Sequence, residues 1–76
     1  KNIGPETEKM LNRVGIYTVG DLENVGVVEA WKRVCAIEPR ATVVGLYALQ
    51  GALLNIHWNE LPRDMKEDLR ARFEAD

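Results

Sequence analysis

A chain of 76 residues, 46% hydrophobic and 29% charged, has the composition of one folded domain, and at this length it buries only about 60% of the surface its unfolded form exposes, so its stability margin is small. Ten Lys and Arg against twelve Asp and Glu leave a net charge of −2, a poor balance for a surface that must neutralise phosphates. One cysteine and one histidine exclude an internal disulfide and the usual structural zinc site, and the longest nearly uncharged run, 41–58, falls short of the ~20 apolar residues a bilayer span requires.

Pro5 fits a first helical position, where its fixed φ helps and its missing N–H costs nothing, and Gly4 ahead of it supplies a permissive backbone. Met10, Leu11 and Val14 recur at helical spacing, and Gly15 follows as a left-handed stop. Thr18 reads as the N-cap of a second helix, with its hydroxyl accepting from the N–H of Asp21 and the Asp21 carboxylate returning the bond in a capping box. That helix spans 19–24 and stops before Gly26. A third helix over 27–36 places Val27, Val28, Trp31, Val34 and Cys35 on its inner stripe, and Pro39 stops it. Lys32 and Arg33 suit its C-terminal half and are read as solvated. Cys35 reads as a buried small hydrophobe of a reducing compartment rather than a reactive thiol.

Thr42 is the expected N-cap of a fourth helix, 43–54, whose one strongly polar residue is Gln50. A helix apolar on nearly every side belongs in the middle of the domain. Its wheel has a bulky face (Val43, Leu46, Tyr47, Leu49, Leu53, Leu54) and a thin one (Gly45, Ala48, Ala52). Gly51 costs ~1 kcal/mol relative to Ala inside a helix, which points to a close approach there by Trp31 or Trp58. The last helix begins near Pro62 and carries Leu61, Met65, Leu69 and Phe73 as an i, i+4 ladder. Arg63, Lys66 and Arg70 line one flank of that stripe and form a candidate partner surface; Asp64, Glu67 and Asp68 line the other. Asp68 with Arg72 and Glu67 with Arg70 are the expected helix-spaced ion pairs.

His57 beside Asn59 and Glu60 invites a test as an active site, but the chain offers no Gly-x-Ser-x-Gly elbow and no second histidine. The structural reading has Trp58 plugging the gap between the fourth and fifth helices and Asn59 bracing the turn ahead of Pro62. Gly4, Gly15, Gly20 and Gly26 lack the spacing, lysine and preceding strand of a nucleotide-binding loop. No catalytic residue, cofactor or metal site is expected.

Ile3-Gly4-Pro5, the Gly15-Ile16 bend and the Thr18-x-x-Asp21-Leu22 restart resemble a helix-hairpin-helix unit of the kind found in DNA-repair and replication proteins. Further on, Gly26 to Trp31, the run Tyr47-Ala48-Leu49-Gln50-Gly51-Ala52-Leu53 and His57-Trp58-Asn59-Glu60-Leu61-Pro62 resemble the C-terminal domain of the TfoX/Sxy family of bacterial competence regulators, over essentially the whole chain. The resemblance implies a cytoplasmic protein linked to control of DNA-uptake genes, partnered by a transcription activator such as the cyclic-AMP receptor protein or by the family's separate N-terminal domain. The chain is then either a fragment of such a regulator or a stand-alone version.

The expected architecture is all-α, one bundle of about five short helices over 1–76 with the helix-hairpin-helix-like unit at its start. The first reading of function is a non-enzymatic regulatory protein-interaction module, with a homodimer expected if the fourth helix carries more apolar surface than four short neighbours can cover. The alternative is sequence-independent DNA binding through the hairpin, with Lys1, Gly4, Lys9 and Arg13 as contacts. Against it, 1–26 holds three basic residues (Lys1, Lys9, Arg13) and four acidic ones (Glu6, Glu8, Asp21, Glu23), and Glu6 and Glu8 occupy the helix start where a phosphate would bind.

Overall fold

Helix starts and stops follow the local chemistry. The computed structural model describes residues 3–75, which form α1 (Pro5–Arg13), α2 (Val19–Val25), α3 (Val27–Ile37), α4 (Val43–Leu54), a 3₁₀ turn (Trp58–Glu60) and α5 (Arg63–Glu74). The chain is all-α as expected, with no strand among the described residues. Pro5 opens α1 behind an extended Gly4. Its end is closed by Ile16 N–H donating to the Leu11 carbonyl at 2.9 Å and Gly15 N–H to Asn12 at 3.1 Å. Gly15 takes φ +86° there, which a Cβ would penalise. Gly26 ends α2 and starts α3 in one step, at φ 88° and ψ 145°. That positive φ is not left-handed helical; it is the extended mirror region reached almost only by glycine. α2 and α3 each run one residue past their expected ends.

α4 packs against α3, α5 and the 3₁₀ turn, and α3 packs against α1, α2, α4 and α5. Leu46, Leu49 and Val34 are the largest fully buried side chains, so α4 sits at the centre as its composition requires. A close approach is found at Gly45, a residue of the expected thin face, and Gly51 is buried. A Cβ on Gly45 would lie 2.7 Å from Trp31 Cε2 and closer still to Cζ2 and Cη2. Trp31 itself is buried, and its Nε1–H donates to the Thr42 carbonyl at 2.8 Å, so one indole ties α3 to the first turn of α4. Thr42 is the N-cap by position, but its hydroxyl makes no capping bond; its carbonyl does the tethering instead.

The division of α4 into bulky and thin faces also needs correcting. Its buried residues are Leu46, Ala48, Leu49 and Gly51, drawn from both faces, while Val44 and Leu54 are exposed. Gln50 turns toward α5, with Nε2 3.6 Å from Met65 Sδ. α4 ends on Asn55 in the left-handed conformation, with Ile56 N–H reaching back to the Gly51 carbonyl at 2.9 Å. On α5 Leu69 is buried and Met65 and Phe73 pack half-buried, as the ladder requires, but Leu61 is buried ahead of the helix, in the extended residue that closes the 3₁₀ turn, rather than on it. Lys32 is not simply solvated, because its Nζ donates to the Ala75 carbonyl at 3.1 Å and clasps the end of α5 to α3.

Candidate functional site

The α1–α2 bend is built around its own anion. Asp21 N–H donates to Thr18 Oγ1 at 3.0 Å, while one Asp21 carboxylate oxygen accepts from Tyr17 N–H at 3.0 Å and from Thr18 N–H at 3.2 Å. The start of α2, where backbone N–H groups gather and the dipole is positive, is thereby filled from within. The Tyr17 N–H above all, then the backbone and hydroxyl of Thr18, hold the Asp21 carboxyl below its ordinary 3.8. A folded pKa below the unfolded one adds stability above the unfolded value and loses it as pH falls through the folded value. Asp21→Ala is therefore expected to lower the melting midpoint most near neutral pH, with the gap from the parent shrinking in acid; a gap independent of pH in circular dichroism melts would count against the capping role. Thr18→Ala is expected to cost ~1 kcal/mol.

Of the candidate DNA contacts, Lys1 lies outside the described residues. Gly4, Lys9 and Arg13 are all exposed, and Lys9 and Arg13 stand one turn apart on α1. Glu6 and Glu8 are exposed in its first turn. Between α1 and α2 runs a small groove of about 110 Å³, lined by Ile3, Leu11, Ile16 and Leu22 with Tyr17 and Val19 at its edge. Tyr17 sits in the bend and Val19 opens α2, where no local pattern marks a side chain as outside, and the packing leaves both exposed.

On α5 the flank of Arg63, Lys66 and Arg70 is not a free positive stripe. Arg63 pairs with Glu67 at 3.3 Å and Arg70 with Glu74 at 3.0 Å. Arg72 pairs with Asp68 at 3.4 Å, as expected, whereas the expected Glu67–Arg70 pair is replaced by these i, i+4 partners. Lys66 Nζ sits 5.2 Å from the Trp58 ring centroid and 6.0 Å from that of Tyr47, within cation–π range. Trp58 stacks on Tyr47 at 6.3 Å and on His57 at 6.1 Å. It bridges α4 and α5 as expected, but half-buried at the surface rather than as a core plug. His57 Nδ1 lies 2.7 Å from Asn59 Oδ1 and 3.3 Å from Asn59 N, so the imidazole is engaged in bracing the turn.

Cys35 is half-buried rather than fully buried, and burial pushes its thiol pKa up, away from the thiolate a nucleophile needs. Among the described residues no group of three His, Cys, Asp or Glu could hold a metal ion, and no helix is long and apolar enough to cross a membrane.

The TfoX C-terminal domain model matches residues 1–73. Two crystal structures share the fold. An uncharacterized protein from Listeria monocytogenes in a triclinic form superposes with a TM-score of 0.85 at 36% identity, over 91% of this chain and 78% of that one. A protein of unknown function from Listeria monocytogenes in a tetragonal form gives 0.86 at 35% identity, over 93% and 88%. No curated protein matches.

Proposed function

The chain belongs to the TfoX C-terminal domain family, and from that membership we propose that it is a non-enzymatic, cytoplasmic protein-interaction module of a bacterial competence regulator, contributing to transcriptional control of DNA uptake. The observation that carries this reading over direct DNA binding is the Asp21 carboxylate seated on the Tyr17 and Thr18 N–H groups. A phosphate approaching the bend would meet that carboxylate, and Glu6 and Glu8 add charge of the same sign at the start of α1. Its partner is a transcription activator or the regulator's own N-terminal domain. A pull-down from a bacterial lysate with and without nuclease tests it: a protein retained after nuclease supports the module, and retention only with nucleic acid intact opposes it.

Duplex binding is expected to be weaker than the ~10⁻⁴–10⁻⁶ M of non-specific DNA-binding proteins at physiological salt. Glu6→Lys with Glu8→Lys should strengthen it and steepen its salt dependence, as two repulsive groups become phosphate-neutralising ones. Fluorescence anisotropy across a salt series measures both. Tight, salt-sensitive binding by the parent chain, abolished by Lys9→Ala with Arg13→Ala, would establish the alternative in which the exposed Lys9 and Arg13 hold DNA.

A further inference from the structure

We propose that the groove between α1 and α2 is a docking site for a basic amphipathic segment of a partner protein, which seats one bulky apolar side chain between Tyr17 and Val19. The inference rests on the reading of the domain as an interaction module and names the surface it uses. Tyr17 is 70% exposed and Val19 62%, ahead of Leu54, Val44 and Ile37 among the exposed large hydrophobic residues. Scattered apolar residues on a surface need no explanation. These two flank a groove floored by the core residues Leu11, Ile16 and Leu22, and so form a continuous apolar patch. The bend does not require either side chain: Gly15, Thr18 and Asp21 make the turn, and Tyr17 contributes its backbone N–H.

Size and charge select the occupant. A groove of about 110 Å³ is far smaller than the ~300–1,000 Å³ pockets that enclose free small molecules, and suits a single anchoring side chain. The one charged residue lining it is Glu8. Glu23, outside the lining, is exposed one turn beyond Val19 on α2, which at helical spacing sets a second carboxylate on the Val19 side of that helix. Lys9 and Arg13 lie roughly 100–140° around α1 from Glu8 at 3.6 residues per turn, on another face. An apolar slot with Glu8 in its wall and Glu23 farther along α2 complements an apolar anchor flanked by Lys or Arg, with the exposed Tyr17 ring as a cation–π partner for one of them.

The test uses the ¹⁵N-labelled chain and three synthetic peptides: an amphipathic helix of Leu and Lys, its Leu/Glu counterpart with the same apolar spacing, and a Lys/Gly peptide without apolar residues. The Leu/Lys peptide is expected to shift the amide signals of Leu11, Ile16, Tyr17, Val19 and Leu22, with the other two binding at least tenfold more weakly. Tyr17→Ala with Val19→Ala should reduce Leu/Lys binding at least tenfold without moving the melting midpoint, and Glu8→Lys with Glu23→Lys should reverse the preference toward the Leu/Glu peptide. Equal binding of both amphipathic peptides, shifts confined to α5, or displacement of the peptide by chain self-association would each overturn the proposal. The lysate pull-down separates it from the parent reading. A retained protein indifferent to Tyr17→Ala with Val19→Ala removes the groove and leaves the module; selective peptide binding with no protein retained supports the groove and counts against the module.

Discussion

Trp31→Ala is expected to destabilise the domain by ~3–5 kcal/mol, a large fraction of the ~5–15 kcal/mol available to a small protein. The ring is 2% exposed, so its removal leaves a cavity at the contact between α3 and α4 that the rest of the core cannot close fully. It also removes the Nε1–H bond to the Thr42 carbonyl at 2.8 Å. That carbonyl still accepts from Gly45 N–H at 3.1 Å, so the larger share of the loss is packing rather than an orphaned acceptor. Trp31→Phe, which keeps an aromatic ring and loses the indole N–H, should cost less. Urea unfolding followed by circular dichroism measures both; a midpoint for Trp31→Ala close to the parent's would mean that the indole does not hold α3 to α4.

Gly45→Ala is the second large effect, and it runs against helix propensity. In an exposed helix the change would be worth about 1 kcal/mol in favour of alanine. Here the new methyl meets the Trp31 ring, 2.7 Å from Cε2 and nearer to two further ring carbons, so the ring or α4 must move. A net loss of ~1–3 kcal/mol is expected, with larger residues at this position costing more. The double variant decides the cause. Once Trp31 is alanine the obstruction is gone, and Gly45→Ala in that background should be neutral or stabilising. Additive losses in the two backgrounds would place the cost of Gly45→Ala in the helix itself rather than against the ring.

Both effects turn on a contact that no local pattern encodes, and the division runs through the whole molecule. The punctuation was legible: Pro5, Gly15, the Thr18–Asp21 box, Gly26 and the start of α4 after Thr42 all fall where expected, because a cap is made by atoms within about one helical turn of each other. The amphipathic stripes of α3 and α5 were legible for a related reason, since periodicity marks the buried face when the opposite face is polar. α4 is apolar nearly all round, so its sequence carries no such signal. The sequence points to a close approach at Gly51, with Trp31 or Trp58 to fill it, and nothing local marks Gly45 as the residue that Trp31 covers.

The candidate site divides in the same way. The acidity of the first turns of α1 and α2 is a property of the residues themselves. Whether a carboxylate takes the i+3 or the i+4 arginine on α5 depends on rotamers and neighbours, with pairs of either spacing worth only ~0.2–0.5 kcal/mol. That Tyr17 and Val19 stay outside while Ile16, their neighbour in the chain, is buried follows from the direction of the bend. The sequence by itself determined where helices begin and end and which of them must lie inside, because those choices are made by bonds and dihedrals a few residues long. Tertiary structure alone decided that Gly45 receives Trp31 and which apolar residues remain at the surface, because both depend on elements distant in the chain meeting in one packed core.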